Sequence, residues 1–361
     1  MVVVSAIILL GCATFLLLMQ TSPLDEQPQM RHKAPNSSLH ELAPRTANKL
    51  EASKATTSLK AKRLPQAIVI GSRKCGTRAL IKFLELNPAV RAAHSEVHFF
   101  DRPHNFKLGL DWYRNQMPES SSIQVTVEKS PAYFVTAGVP ERIKAMNSSI
   151  KLILILRDPV TRLVSDYSQL VANKIQEIDE ETEANGEYAG GDEHYPSELS
   201  DSATNLTKAA WTKAERDFEQ SILRSDGGVD EQYRAIKIGM YSVYLERWRA
   251  LFSMQQMHFV DGENLIENPH EELRKLELFL GLKPTIRPEH FVFNHQKGFY
   301  CLAPNVTVNR LEPNCLSRSK GRKHVTVKYE LVVKLRKFYA PYNEYLYSLT
   351  GISFNPSPNK T

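Results

Sequence analysis

Between the apolar run AIVIG (67–71) and the helical pattern of ALIKFLELN (79–87) lie Ser72, Arg73, Lys74, Cys75, Gly76 and Thr77. A glycine-bearing loop that turns a strand into a helix aims backbone N–H groups and a helix N-terminus at one point, a cradle for an anion. The spacing from Gly71 is G-x4-G-T, with Lys74 inside the loop rather than after the second glycine. That argues against a magnesium-nucleotide loop, in which the hydroxyl after the lysine holds the metal. A second apolar run, KLILIL (151–156), leads into Arg157 and Asp158 rather than into a metal-holding aspartate. Arg73, Lys74 and Arg78 surround one helix start, where cations oppose the helix dipole unless an anion is bound. Arg157 leaves the C-terminal end of a strand, where open α/β sheets place ligands, and its fork suits a phosphate. The plain alternatives are a structural glycine turn and an exposed surface arginine. Further on, SEVHFFD sets Glu96 and His98 two apart, on one side if the stretch is extended.

These residues need a framework. AIVIG and KLILIL read as buried parallel strands. IQVTVEKS (123–130) alternates as a strand, and MHFVDGENLI (257–266) as a strand and turn. Helical spacing marks 162–175, 270–282 with Gly281 near its C-cap, and 327–349. Strands alternating with helices predict an α/β fold with a mostly parallel central sheet and flanking helices. The folded domain spans 64–361. Residues 176–210 interrupt the pattern and read as an acidic surface insertion: 171–201 hold ten acids and Lys174 as the one base. Residues 317–337 hold eight Lys and Arg with Glu330 as the one acid, against a net charge of +6 for all 361 residues. An anionic ligand suits that stretch. With 42% apolar residues and four cysteines, wholesale disorder and a disulfide-dense scaffold are both excluded.

Residues 1–19 carry no charge, and a run of about 20 apolar residues can span a bilayer. A cleaved signal peptide is the competing reading. The absence of a basic n-region and of an A-x-A site favours a transmembrane signal-anchor. Residues 20–63, rich in Pro, Ser, Thr and Lys, read as a flexible stem. Sequons at Asn36, Asn147, Asn205, Asn305 and Asn359 favour glycosylation on the lumenal side. There, Cys301 and Cys315 would close a loop of about 15 residues, worth about 3 kcal/mol as a disulfide. Two free thiols are the alternative.

Five ordered blocks, LPQAIVIGSRKCGTRAL, SEVHFFD, VEKSPAYF, LRDPVTRLVSDYSQ and KGFYC…C…SKGRKH, resemble the heparan sulfate glucosamine 3-O-sulfotransferases over about 64–354. The resemblance implies a P-loop-like sulfotransferase fold. It implies transfer of a sulfuryl group from 3′-phosphoadenosine 5′-phosphosulfate (PAPS) to the 3-hydroxyl of glucosamine in heparan sulfate. It implies that Lys74, Cys75, Gly76, Thr77 and Arg78 hold the 5′-phosphosulfate and that Arg157 and Ser165 hold the 3′-phosphate. Lys320, Gly321, Arg322, Lys323 and His324 would close over the nucleotide. Glu96 would be the general base, His98 would hold the acceptor, and Lys74 would stabilise the transferring group. Val97, Phe99, Phe100, Asp101, Arg102, Lys129, Ser130, Pro131 and Ala132 would complete the acceptor site, Lys129 facing its acidic groups. No metal is expected, because sulfuryl carries less charge than phosphoryl. The setting implied is the Golgi membrane, single-pass type II, with no nucleic-acid partner.

Cys75 departs from the family pattern, where glycine is usual. If that position needs positive φ, a Cβ there strains the cradle. Beside Lys74 the thiol pKa would fall. The rival functions are sulfation of another glycosaminoglycan hydroxyl or of tyrosine, and a catalytically silent heparan-binding membrane protein.

Overall fold

The computed structural model describes residues 59–184, 197–304, 306, 313–316 and 324–354, with backbone alone at 178–184 and 197–207. The leader, nearly all of the stem, Asn36, Asn305, Asn359 and Lys320 to Lys323 lie outside the described residues, and Asn205 is described by its backbone only. Among the described residues no helix is long and apolar enough to cross a membrane.

The chain opens with β1 (Ala61–Lys62), β2 (Ala67–Gly71), α1 (Thr77–Leu84) and β3 (Val90–Ala92). Two short helices, α2 (Pro103–Phe106) and α3 (Gly109–Asn115), precede β4 (Glu119–Ser120), β5 (Val125–Lys129), α4 (Val139–Met146) and β6 (Lys151–Leu156). Then come α5 (Pro159–Ala184), α6 (Ser197–Ile222), α7 (Arg234–Gly239) and α8 (Tyr241–Arg249). The last part holds β7 (Met257–Asp261), α9 (Asn264–Glu267), α10 (Pro269–Leu280), β8 (Phe291–Asn294), β9 (Phe299–Leu302) and α11 (Tyr329–Thr350).

Five of the strands form one parallel sheet in the order β3-β5-β2-β6-β7. Every residue of β2 is buried, and so are five of the six in β6, as two helix-covered faces require. From the central β2 the chain runs to β3 on one side, while β6 and β7 lie on the other. Ligands of open α/β sheets sit beyond the strand ends at such a reversal. A second apolar cluster joins Val160 and Leu163 of α5 to Phe218 and Ile222 of α6 and to Leu335 and Tyr339 of α11. Arg162, fully buried, bridges it by bonding Asp166 and the Ala235 carbonyl.

The expected elements at 67–71, 151–156, 270–282 and 327–349 are present, and Gly281 ends α10 in the left-handed region at φ 78°. The stretch 176–210 differs from expectation. Helix α5 continues to Ala184 and α6 begins at Ser197, so much of the supposed insertion extends two helices. Acidic side chains mask a helix from an apolar-period search when only one narrow face meets the core.

Candidate functional site

One cleft of about 1010 Å³ opens beyond the C-terminal ends of β2 and β6. Its floor is the loop after β2. Lys74 has φ 70° and Gly76 φ 107°, so the left-handed residues flank Cys75. Holding a lysine there costs on the order of 1 kcal/mol and aims its side chain across the loop. Gly76 caps α1 without a side-chain bond, and the first turn of α1 holds no acid. Within α1, therefore, neither a capping side chain nor an acid takes up that helix end.

The cations of this floor have partners on neighbouring elements. Lys74 Nζ donates to Gln169 Oε1 at 2.7 Å, and Arg73 Nε to Asp166 Oδ1 at 2.8 Å. Arg157, one residue beyond β6, donates from Nε and Nη2 to both oxygens of Glu263 at 3.0 and 3.1 Å. Glu263 engages one edge of the fork and fixes the guanidinium plane against the cleft. Glu263 is carried by the turn after β7, where Asp261 Oδ1 accepts the N–H groups of Glu263 and Asn264. Gly262 in that turn is required by contact. A Cβ there would lie 2.5 Å from Arg157 Cγ, 2.7 Å from the Leu156 carbonyl and 2.9 Å from the Cys75 carbonyl.

The opposite wall presents Glu96, His98, Asp101 and Arg102, with Pro131 and Ala132 beside them. Glu96 Oε1 accepts from Lys129 Nζ at 2.5 Å, and Glu96 Oε2 lies 3.4 Å from His98 Nε2. His98 Nδ1 meets Asp101 Oδ2 at 2.8 Å. The His98 and Lys129 contacts pull the Glu96 carboxyl down to about 2, so it is ionised across the neutral range. Asp101 first, then Glu96, raise His98 to about 9. An acid and an imidazolium thus line the same cleft as the anion cradle, with the buried Lys129 ammonium paired to the acid.

Lys74, Gly76, Thr77, Arg78, Arg157, Ser165 and His324 all line that cleft. Desolvation first, then the charges of Arg157 and Lys74, lower the His324 imidazole below its ordinary value. Other expected contacts are corrected. Phe99, Phe100 and Ser130 are fully or almost fully buried, and Val97 is 7% exposed, so they support the wall from behind rather than touch an acceptor. Lys129 is 4% exposed and pairs with Glu96 instead of facing acceptor anions. Tyr133 and Phe134 are fully buried core.

Cys75 is also corrected. It is not at positive φ, and its side chain points away from the cradle into the core at 1% exposure. Its Sγ lies 3.5 Å from Tyr241 Oη, which itself donates to the Arg157 carbonyl at 3.1 Å. Burial pushes the thiol pKa up, not down. Cys75 is therefore a packing residue.

Cys301 and Cys315 are disulfide-bonded, tying β9 to the chain before the basic stretch. Lys82 at the far end of α1 reinforces that junction through Asn314 and the Cys315 carbonyl. Several cleft residues carried no sequence signal of a site. Gln169 and Ser168 follow Ser165 at i+4 and i+3 on one face of α5, a spacing the DYSQ block displays. Lys297 to Tyr300 lie in the quoted KGFYC block. Arg234, at the start of α7, sits in no recognisable pattern.

Comparisons with known proteins bear on this geometry. A family described as "Sulfotransferase domain" matches residues 64–349. Over 292 residues the chain is 41% identical to heparan sulfate glucosamine 3-O-sulfotransferase 5 of Mus musculus, covering 81% of this chain and 74% of that one. Over 295 residues it is 42% identical to heparan sulfate glucosamine 3-O-sulfotransferase 3A1 of Mus musculus, covering 81% and 64%. Among solved structures, a sulfotransferase from Alicyclobacillus acidocaldarius shares the fold, with a TM-score of 0.50 at 19% identity over 81% of this chain and 98% of that one.

Proposed function

The chain belongs to the heparan sulfate glucosamine 3-O-sulfotransferases, and on that premise we propose that its cleft moves a sulfuryl group from PAPS to the 3-hydroxyl of glucosamine. The observation that carries the residue assignment is the position of Glu96. With His98 it lines the same cleft as Lys74, the α1 N-terminus and Arg157, and the buried Lys129 pairs with it.

The donor's chemistry fits the floor: a helix start without an acid or side-chain cap, Lys74 and Arg78 beside it, and Arg157 with Ser165 further along. PAPS when bound supplies the activated sulfuryl group. Glu96 accepts the proton of the attacking hydroxyl as its oxygen bonds to sulfur. The bond from sulfur to the bridging phosphate oxygen breaks, and Lys74 neutralises the charge left on that oxygen. His98, charged and fixed by Asp101, donates to the acceptor and holds it in line. His324, which lines the cleft, meets the nucleotide. The setting is the Golgi lumen, the domain held on a stem behind a signal-anchor; the sequons and the disulfide support that compartment.

A donor-dependent sulfation assay on N-sulfated heparan oligosaccharides, with linkage analysis of the product, tests this reading. New sulfate on the glucosamine 3-hydroxyl is expected. Sulfate at a 6-hydroxyl, at a uronic acid 2-hydroxyl or on tyrosine overturns the acceptor assignment.

A further inference from the structure

Glu128 precedes Lys129 in β5, is fully buried, and has no part in the steps above. Its carboxylate accepts from the Ser130 hydroxyl at 2.6 Å, from the Tyr113 hydroxyl at 3.2 Å and from the Val97 backbone N–H. The Ser130 oxygen in turn accepts the His98 N–H at 2.9 Å. Tyr133 Oη accepts the Phe99 N–H at 2.9 Å and lies 3.5 Å from the Phe100 nitrogen. Four successive N–H groups, from 97 to 100, thus end on side chains of the VEKSPAYF block. From the other side, Asn105 Nδ2 donates to the Val97 and His98 carbonyls at 3.0 and 3.1 Å.

Residues 97–100 lie in neither helix nor strand, and His98 sits at φ 52°. A buried segment without a ladder must find side-chain partners for its backbone, and those partners then decide its course. We infer that Glu128 is a positioning residue for sulfuryl transfer: directly and through Ser130, it holds the Val97 and His98 N–H groups and so sets where Glu96 and His98 point. An apolar residue at 128 would avoid the cost of a buried acid but would strand the Val97 N–H and the Ser130 hydroxyl, loosening the oxygen that holds the His98 N–H. A displacement near 1 Å of a reacting group can cost on the order of a hundredfold in rate.

This inference rests on Glu96 acting as the base, and the test keeps the two apart. Glu128→Gln and Ser130→Ala in the full chain are compared with Glu277→Gln, a fully buried acid of α10 bonded to Asn87 and the Thr285 N–H. Turnover of N-sulfated heparan oligosaccharide, calorimetric binding of 3′,5′-adenosine bisphosphate, thermal melting and amide exchange over 97–100 are read for each. Glu128→Gln and Ser130→Ala should lower kcat by about tenfold to a hundredfold. They should hold nucleotide affinity within about threefold and speed exchange at 97 and 98. Glu277→Gln should lower the melting temperature while kcat stays within about twofold. If Glu128→Gln does not fold, the one-oxygen deletion Ser130→Ala carries the test. A kcat within twofold of wild type in both variants, an equal kcat loss in Glu277→Gln, unchanged exchange at 97 and 98, or loss of a cooperative melt in both variants overturns the inference. Normal turnover by Glu96→Gln would defeat the base assignment and leave the exchange result to stand by itself.

Discussion

The two walls of the cleft are built by different rules. The donor floor is local: a buried strand, a five-residue loop and a helix start within eleven residues of chain, with φ values of 70° and 107° on either side of Cys75. Its cations are balanced by neutral or acidic neighbours, Gln169, Asp166 and Glu263. The acceptor wall is tertiary. Glu96 and His98 stand on a turn whose backbone is held from 30 residues away by Glu128, Ser130 and Tyr133. There the carboxylate is the central charge and cations surround it. One wall waits for an anion; the other is an anion already neutralised. Binding of the donor and removal of the acceptor proton should therefore respond to different mutations.

The largest expected separation comes from Glu96→Gln. It removes the proposed base and keeps the shape, so kcat should fall about 10²–10⁴-fold. Binding of 3′,5′-adenosine bisphosphate by calorimetry should stay within about twofold. A comparable loss of nucleotide affinity would mean that the walls are not independent.

Arg157→Ala tests the other wall. Affinity for 3′,5′-adenosine bisphosphate should drop by about 1.5–3 kcal/mol, the worth of a charge-assisted bond, with a much smaller drop for adenosine 5′-monophosphate. Equal losses would show that Arg157 acts only through Glu263 and the β7 turn.

The contrast has a pH signature within the acceptor wall itself. Burial, the leading cause, raises Glu128 to about 7, above its ordinary 4.5. Its contribution to stability is thus full below 4.5 and is lost as pH rises through 7, a change on the order of 3 kcal/mol. Glu96 runs the other way: with its carboxyl lowered to about 2, its contribution is present above 4.5 and is lost as pH falls towards 2. Melting temperatures of wild type minus Glu128→Gln should decline between pH 4.5 and 7. The same difference for Glu96→Gln should grow between pH 2 and 4.5. A flat Glu128 difference would show that its carboxylate is as well solvated by its three donors as by water.

How much of this was legible depends on the range of the interaction. The donor floor could be read because AIVIG, the glycine turn and the helix period are all local, and KLILIL points Arg157 by the same rule. The acceptor wall could be named from SEVHFFD and VEKSPAYF, but Glu128 passed unremarked beside Lys129. Nothing in an alternating strand says which side faces a turn 30 residues back. Arg234 and the Glu263 contact with Arg157 were equally invisible, since each depends on where a later element returns. Helix α6 was missed because its acids hid the narrow face that carries Phe218 and Ile222.

The smallest expected effect is at Cys75. Replacement by glycine removes a buried side chain and adds backbone freedom, together costing about 1–2 kcal/mol of stability. Because the side chain faces Tyr241 and not the cleft, kcat and nucleotide affinity should stay within about threefold. In the native protein the thiol should resist alkylation, as a buried, high-pKa cysteine does. Rapid labelling would place it on the donor surface after all and blur the boundary between floor and core.

Gly262 gives the site a distinctive profile of mutational robustness. Three chain segments, the donor loop, the end of β6 and the turn after β7, approach within a single carbon of that position. Most surface loops absorb random substitutions with little effect. Here any side chain would push on two backbone carbonyls and on Arg157 at once. In a saturation library, position 262 should tolerate nothing but glycine, a residue with no side chain to do chemistry. A genetic screen would flag it as strongly as Glu96.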